Sequence, residues 1–247
     1  MRTYRLQNIQ ILGDELGGSA ATEYERNVVG ALDTIQLNRV GSAVFTGLTR
    51  SLTIRPYTGT RPNGTASAVS APASGVLDHR RYRCDNAAPI TNNGNPARYT
   101  TGGGTGSVIR FSPSQWMTSG VADSRRVSIA AAGRTDEVLF HETTHAIHQM
   151  AGQMNCSDAP PGFDTKDEFW AILLTNIYCS AWNRPLRRDH HGHTTISLTA
   201  ARELFGRYST MIDWMCVGMP AVTRAIARID WIAFNPVRDS YVRRAAL

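Results

Sequence analysis

The stretch His141-Glu142-Thr143-Thr144-His145 decides the fold and the chemistry that we expect of this chain. Residues 135–151 around it have the apolar spacing of an α-helix, on which residues four apart share one face. His141 and His145 can therefore present two imidazoles to one metal ion, with Glu142 about 100° round the helix beside that ion. Two histidines and a glutamate at this spacing are the pattern of a zinc hydrolase, in which the glutamate takes a proton from the attacking water. The alternative is a surface helix whose two histidines have ordinary hydrogen-bond partners.

This helix has its own beginning, buried face and end in the sequence. Thr135 follows Gly133 and is the predicted N-cap residue, and two acids follow it in the first turn, where the helix dipole favours negative charge. Gly152 is well placed to end the helix. The residues expected to face the core are Leu139, Ala146, Ile147 and Met150. A chance occurrence of the histidine motif is less expected on a helix with its own beginning, buried face and end.

A catalytic zinc ion (Zn2+) needs a third protein ligand and an open position for water. Residues 164–178 predict a second helix, acidic at its start and apolar afterwards. We predict that Glu168 is the third ligand, because it lies in the first full turn beside the apolar face and has the longest reach. Asp164 is the alternative by its sequence distance from His145, and Asp167 is the other candidate. The preference of helix N-termini for acids explains any one of the three without a metal.

A further hydrogen-bond donor is needed to stabilise the oxyanion of a tetrahedral intermediate. The candidates are His190, His191, His193 and Tyr208. We take His193 and Tyr208 as the predicted catalytic residues beside Glu142, although the sequence does not separate the three histidines and a solvated loop explains them equally well. Asp189, at the start of this cluster, is a candidate for orienting a ligand histidine through its second ring nitrogen.

The N-terminal part, residues 1–133, predicts strands, long loops and one long helix. The strands are expected at residues 2–12, 51–57 and 107–112. The helix is expected at residues 21–40, with Thr22 as its N-cap and Gly41 as its interruption before a short helix at 44–48. Residues 58–106 are rich in Gly, Pro, Ser, Thr and Asn. They predict loops with short strands at 77–83 and 98–101, and a further short strand is expected at 127–132.

Two segments before the metal helix have functional interpretations. Residues 101–107 (TGGGTGS) are rich in glycine but lack the Gly-Lys-Ser/Thr end of a phosphate-binding loop, so a turn or strand entry is favoured. Residues 107–112 (SVIRFS) stop at Pro113 and are our candidate for a sheet edge that binds an extended substrate. An ordinary core strand gives the same pattern.

Residues 197–247 predict helices, with Pro220 at a helix start and Asn235-Pro236 as a break before the last helix. The whole pattern predicts an α+β fold in a single domain spanning residues 1–247. A small mixed or antiparallel sheet should pack on the metal helix, and residues 134–247 should form a helical part that carries the metal site.

The composition is that of a globular protein, with 42% apolar and 19% charged residues and a net charge of +6. Arginine supplies nearly all of the positive charge, since Lys166 is the only lysine, and the arginines form no zinc-finger, RRM or KH pattern. No apolar run is long enough to cross a membrane, and residues 1–12 lack the apolar core of a secretory signal. Cys179 and Cys216 should be buried thiols, whereas pairing of Cys84 with Cys156 stays open.

The HETTH helix, preceded by a strand and followed by an acid-led apolar helix, resembles the zincin metallopeptidases of the gluzincin type. The order of elements over residues 31–178 is similar to that of the NleD-like zinc proteases that bacteria inject into host cells. The resemblance rests on His141, Glu142 and His145, and the second helix carries no Asn-Glu-x-x-Ser-Asp motif. It implies a zincin-like fold, a protein or peptide substrate, and secretion as a bacterial effector or toxin without a classical signal peptide; otherwise the chain is expected in the cytoplasm.

Two other classes of function remain as hypotheses. One is a catalytically silent zincin-like module that binds a partner or has a structural role, against which the intact Glu142 argues, because a silent site has no need of a base. The other is a basic nucleic-acid-binding protein, which the scattered arginines disfavour.

Overall fold

The computed structural model describes residues 2–4, 8–57, 66–71, 104–115, 133–155, 159–190 and 194–246, and of residues 66–71 the backbone alone. The helices are α1 (Gly18–Leu37), α2 (Arg39–Phe45), α3 (Thr135–Met150), α4 (Lys166–Ala181), α5 (Leu198–Gly206), α6 (Ser209–Gly218), α7 (Pro220–Ala227) and α8 (Pro236–Ala245). The strands are β1 (Arg2–Thr3), β2 (Ile9–Ile11), β3 (Leu52–Arg55), β4 (Ala66–Ala71), β5 (Gly106–Phe111), β6 (Leu186–Arg187) and β7 (Thr195–Ile196). This mixture confirms the predicted α+β class.

The main sheet has the strand order β1-β2-β3-β5-β4. β2, β3 and β5 are parallel to their neighbours within this group, whereas β1 and β4 add to it antiparallel. The predicted sheet edge at residues 107–112 is therefore wrong, because β5 is hydrogen-bonded to β3 on one side and to β4 on the other. Within the described residues the outer strand on that side is β4, which the sequence did not predict.

Helix α3 carries the HETTH motif and lies at the centre of the fold. It packs against β4, β5, α1 and α4, and every one of its residues is buried. The N-cap is Arg134 rather than the predicted Thr135, and its backbone N–H donates to Glu137 Oε2 at 3.0 Å. The predicted end is confirmed: Gly152 has a φ of 66°, and the N–H groups of Gly152 and Gln153 bond back to the carbonyls of Gln149 and His148.

The N-terminal elements differ from the prediction at their boundaries. α1 begins at Gly18, so Thr22 lies inside the helix and does not cap it. The break between α1 and α2 comes at Asn38, whose side chain accepts from Val40 N at 2.8 Å, and Gly41 lies inside α2. Gly41 is needed there for space, since a Cβ would come within 1.9 Å of Ile35 O. Residues 2–12 form two strands, β1 and β2, and the strand predicted at residues 51–57 is β3.

The C-terminal helices close the core over α4. Pro220 and Pro236 occupy the first turns of α7 and α8, as predicted, and Asn235 caps α8 through Arg238 N at 3.1 Å. Cys179 and Cys216 are free and buried, as predicted. None of the described helices is long and apolar enough to span a membrane. The strands predicted at 77–83, 98–101 and 127–132, and the pair Cys84 and Cys156, lie outside the described residues.

A buried ionic cluster fixes the beginning of α3 against the end of α4. Arg184 Nη1 donates to Asp136 Oδ2 at 2.6 Å and to Glu137 Oε1 at 3.0 Å. The Tyr178 hydroxyl donates to the same Asp136 oxygen at 2.6 Å. Burial raises the pKa of Glu137, and the positive charge of Arg184 acts against this by favouring the ionised carboxylate.

Replacement of Arg184 by methionine is expected to lower the free energy of unfolding by about 3 kcal/mol, because it removes the cation that is hydrogen-bonded to two buried carboxylates and leaves only the more distant Arg134 beside Glu137. Chemical denaturation monitored by circular dichroism measures the loss. The matched control is Arg188→Met, which makes the same chemical change at an exposed position and should alter stability by less than about 0.5 kcal/mol. Equal losses in the two variants would contradict a structural role for the cluster.

Candidate metal centre

Two histidines and one glutamate converge between α3 and α4. His141 Nε2 and His145 Nε2 lie 3.1 Å apart, because residues four apart on α3 point the same way. Glu168 Oε2 lies 3.3 Å from His141 Nε2 and 3.4 Å from His145 Nε2. The three atoms form a nearly equilateral triangle, and these are the three residues that the sequence predicted as ligands. They are one of the groups among the described residues that could hold a metal ion.

The start of α4 places Glu168. Thr165 is the N-cap residue, and its hydroxyl accepts from Glu168 N at 3.1 Å. Glu168 thus lies in the first turn, where the unpaired N–H groups and the helix dipole favour a carboxylate. Its side chain keeps 20% of its surface exposed, against 9% for His141 and 8% for His145. The ligand triangle is therefore reached from the side of α4.

The electrostatics of the triangle favour a positive charge at its centre. Burial lowers the pKa of His141 to about 4. Burial also opposes a charge on His145, but the carboxylates of Glu168 and Asp167 outweigh it and hold the pKa of His145 well above its usual range. Burial alone would raise the pKa of Glu168, yet the two imidazoles hold it well below its usual range. A cation bound by the three side chains would satisfy all of them at once.

Asp167 lies behind His145 and is not part of the triangle. His145 Nδ1–H donates to Asp167 Oδ2, and His148 Nδ1–H donates to Asp167 Oδ1 at 2.6 Å. His145, His148 and Asp167 have also been brought close enough to form a second candidate metal group. Contacts as short as 2.6 Å are hydrogen bonds, since two ligands of one tetrahedral metal are about 3.3 Å apart. Asp167 therefore orients His145 and leaves its Nε2 free to face the triangle.

This arrangement corrects two predictions for the carboxylates. The orienting role proposed for Asp189 belongs to Asp167, and Asp189 Oδ1 is buried without a hydrogen-bond partner among the described residues. Asp164, the alternative third ligand, lies outside the triangle and accepts from His190 Nδ1 at 2.6 Å. The neighbouring acids Asp167 and Glu168 thus have different tasks, which their adjacency in the sequence does not reveal.

Of the histidine cluster, His190 lies beside the ligands. Its ring is nearly parallel to that of His141, with 6.3 Å between the centroids, and its Nε2 is 3.5 Å from Glu168 Oε2. About a quarter of its side chain is exposed. His191 and His193, the latter a predicted catalytic residue, lie outside the described residues. His190 is therefore the histidine of this cluster for which the structure supplies a position.

Tyr208, the other predicted oxyanion donor, packs in the core beside the site. Its ring meets Phe169 edge to face, with the centroids 5.7 Å apart, and it occupies the N-cap position of α6. No hydrogen bond joins its hydroxyl to the ligand triangle in the part of the chain that the structure describes. The structure therefore gives Tyr208 a packing contact only.

Two residues that the sequence did not single out position His190. The Asn176 side chain of α4 pairs with the backbone of Arg187, accepting from its N–H at 2.7 Å and donating to its carbonyl at 2.8 Å. The buried Arg187 guanidinium donates to the carbonyls of Asp189, at 2.7 Å, and His190. Burial lowers the pKa of Arg187 to about 10. The sequence signal that could have indicated this contact is an arginine just before a histidine-rich segment, whereas Asn176 in its apolar helix gave no signal.

Glu142 follows His141 on the buried helix and is only 7% exposed. Its carboxylate acts on the charge of Arg187 together with that of Glu168, which places both acids within the same electrostatic environment. The arrangement therefore contains three convergent ligand atoms, an orienting carboxylate and a neighbouring buried acid. These are the parts that a metal centre with a general base requires.

No family model, no curated protein and no solved structure matches the chain.

The purified chain is expected to bind one metal ion, and the variants His141→Ala and His145→Ala are expected to lose it, because each removes one corner of the triangle. Glu168→Ala should lose most of the metal as well. Metal content after dialysis, measured by inductively coupled plasma mass spectrometry, provides the test. Asp164→Ala is the control and should keep the metal; loss of the ion from this variant with retention in Glu168→Ala would contradict the ligand set.

Proposed function

We propose that this chain is a zinc-dependent metallopeptidase that hydrolyses a protein or peptide. The observation that carries the proposal is the triangle of His141 Nε2, His145 Nε2 and Glu168 Oε2, with edges of 3.1 to 3.4 Å, beside the buried Glu142. Two histidines and one glutamate form a donor set used by catalytic zinc sites, in which the fourth position is open.

The dimensions of the triangle support zinc in particular. Tetrahedral ligands at about 2.0 to 2.1 Å from zinc are separated from one another by about 3.3 to 3.4 Å. Octahedral ligands at the same distance would be separated by about 2.9 Å, and magnesium also prefers oxygen donors to imidazoles. Two of the three edges match the tetrahedral value, and the third, between the two histidines, is 0.2 to 0.3 Å shorter than the others.

Glu142 is the proposed general base. A bound zinc ion supplies a Lewis acid that polarises a peptide carbonyl and lowers the pKa of water. Glu142, next to His141 on α3, accepts a proton from the attacking water and delivers a proton to the leaving amine. Its burial keeps bulk water from competing for that carboxylate, and its negative charge interacts favourably with the Arg187 guanidinium.

His190 is the proposed donor to the oxyanion, in place of His193 and Tyr208. When its ring carries both protons, Nδ1–H donates to Asp164 Oδ2 at 2.6 Å, and Nε2–H lies on the side of the ligand triangle, 3.5 Å from Glu168 Oε2, where it can donate to a developing negative charge. The position of the ring supports this role, because its Nε2 is close to Glu168 Oε2 and the ring lies parallel to that of His141. Arg187 fixes the backbone of the loop through the His190 carbonyl.

The substrate is proposed to bind in extended form along β4 instead of β5. β4 pairs with β5 through one of its edges over Ala66–Ala71, and α3 packs against it. An outer strand next to a metal helix offers N–H and C=O groups that can pair with the backbone of a peptide. The resemblance to zincins, and to effector proteases within them, supports a peptide substrate and delivery into a target cell as parts of the same proposal.

Glu142→Gln is expected to lower peptidase turnover by a factor of about 100 to 10,000 without releasing the metal, because it removes the base and keeps the three ligands. Cleavage of a proteome-derived peptide library, read by mass spectrometry, measures activity, and metal analysis runs in parallel. Glu203→Gln on the exposed face of α5 is the control and should keep full activity. If the zinc-loaded wild type cleaves no peptide, the proposal is contradicted and the hypothesis of a catalytically silent binding module remains. Purification of the chain with iron in place of zinc would also contradict the proposal.

His190→Phe is expected to reduce kcat by a factor of about 100 to 1,000 with little change in KM, since the donor acts on the transition state and the aromatic ring preserves the packing. Asp164→Asn should cause a smaller fall in kcat of the same kind, because it weakens the support for the doubly protonated ring. Steady-state kinetics on a peptide found in the library screen give both values. A rise in KM with unchanged kcat would instead assign His190 to ground-state binding of the substrate.

A further inference from the structure

We propose that His148 is a positioning residue for the metal centre, acting on the ligand His145 through Asp167. This inference rests on the proposed metal function and extends it to a residue one turn beyond the HETTH motif. Among the described residues, the hydrogen bond of His148 goes to Asp167 and not to the three side chains of the triangle. Its effect is carried by two hydrogen bonds to the two oxygens of one carboxylate.

The geometry makes Asp167 a bridge between two imidazoles on the same helix. His145 Nδ1–H donates to Oδ2, and His148 Nδ1–H donates to Oδ1 at 2.6 Å. The backbone N–H of Asp167 donates to Asn155 O at 2.9 Å, which fixes the residue from a third direction. With its other oxygen bonded to His148, the Asp167 carboxylate cannot rotate about its own axis without breaking a hydrogen bond. The direction in which it accepts from His145 is therefore set by His148.

The burial of His148 indicates why an imidazole is present there. The side chain has no exposed surface, and its ring packs at 81° to the Trp170 ring, with 5.8 Å between the centroids. Its Nε2 is buried without a hydrogen-bond partner among the described residues. A buried polar atom without a partner opposes folding, so Nε2 itself gives no reason for an imidazole in this pocket. The hydrogen bond from Nδ1 to Asp167 is the contact that an apolar residue cannot make.

The consequence falls on the affinity for the metal. A ligand histidine binds best when its second nitrogen donates to a fixed acceptor, because this selects the tautomer and the ring orientation that present Nε2 to the ion. Loss of such an outer partner lowers metal affinity by a factor of about 10 to 100. Without His148, Asp167 is free to turn, and His145 loses its fixed orientation although the residues of the triangle are unchanged.

The experiment compares His148→Leu with His148→Asn. Leucine fills the pocket beside Trp170 without a donor, whereas the asparagine amide places an N–H close to the position of Nδ1. Zinc affinity is measured by competition with a chromophoric chelator, and thermal unfolding of the metal-free proteins is followed in parallel. We expect His148→Leu to bind zinc about 10 to 100 times more weakly than the wild type and His148→Asn to recover most of that loss.

Gln149→Leu is the matched control. It also removes a buried hydrogen bond of α3, from Ser107 Oγ to Gln149 Oε1 at 2.7 Å, but this bond leads to β5 and not to the metal ligands. It should lower thermal stability and leave zinc affinity unchanged. Wild-type affinity in His148→Leu would overturn the proposal, as would an equal loss of affinity in Gln149→Leu or in His148→Asn.

The zinc affinities and the peptidase activity together distinguish a wrong role for His148 from a wrong proposed function. If the variants bind zinc with the predicted order of affinities but the wild type cleaves no peptide, the positioning role of His148 is supported and the proposed peptidase function is wrong. If the wild type cleaves peptides but His148→Leu binds zinc with unchanged affinity, the peptidase function is supported and the positioning role of His148 is wrong. A wild type that binds no zinc overturns both.

Discussion

The burial of a polar helix is the constraint on which the rest of the structure depends. All residues of α3 are buried, although they include carboxylates and three imidazoles. Buried polar groups need partners, and buried charges need opposite charges. Most of these partners come from α4 and the segment just after it, which supply Asp167 and Glu168 at one end and Tyr178 and Arg184 at the other.

The two ends of the α3–α4 contact are opposite in charge, and together they fix the axial register of the helices. Near the start of α3, Arg184 brings a cation to two acids. Further along α3, Asp167 and Glu168 bring two negative charges to imidazoles, which a divalent cation would balance. A sliding of one helix along the other would break both groups at once. The positions of the candidate ligands therefore follow from the same contacts that hold the core together.

The sequence predicts the parts of this site that depend on local periodicity. The spacing of His141 and His145 requires only a helix, and Glu168 requires only that a second helix starts with an acid and packs beside the first. It does not separate Asp164, Asp167 and Glu168, because the direction of each side chain depends on where α4 begins, at the N-cap Thr165, and on how α4 packs against α3. The position of β5 inside the sheet could not be predicted from the sequence for a related reason. Its neighbour β4 lies in a polar segment, and the pairing of the two strands is a long-range contact.

Two boundaries of helices in the N-terminal part differ from those that the sequence predicts. Glycine usually marks an interruption, but Gly41 lies inside α2 because the backbone of Ile35 leaves no room for a Cβ. The break comes at Asn38, whose side chain competes for the backbone N–H of Val40. The position of Gly41 depends on the close approach of two neighbouring helices, which only the folded chain reveals, whereas the cap at Asn38 is a local contact.

The pairing of Asn176 with the backbone of Arg187 has a consequence for how the centre would work. This side chain imitates a strand neighbour, since it offers one donor and one acceptor to the same residue. The helix that carries Glu168 near its start thus also carries, two turns later, the attachment of the loop bearing His190. The candidate metal ligand and the proposed oxyanion donor are therefore held by the same helix. If the centre acts as proposed, its groups would be preorganised, since they would need no closing motion to reach one another.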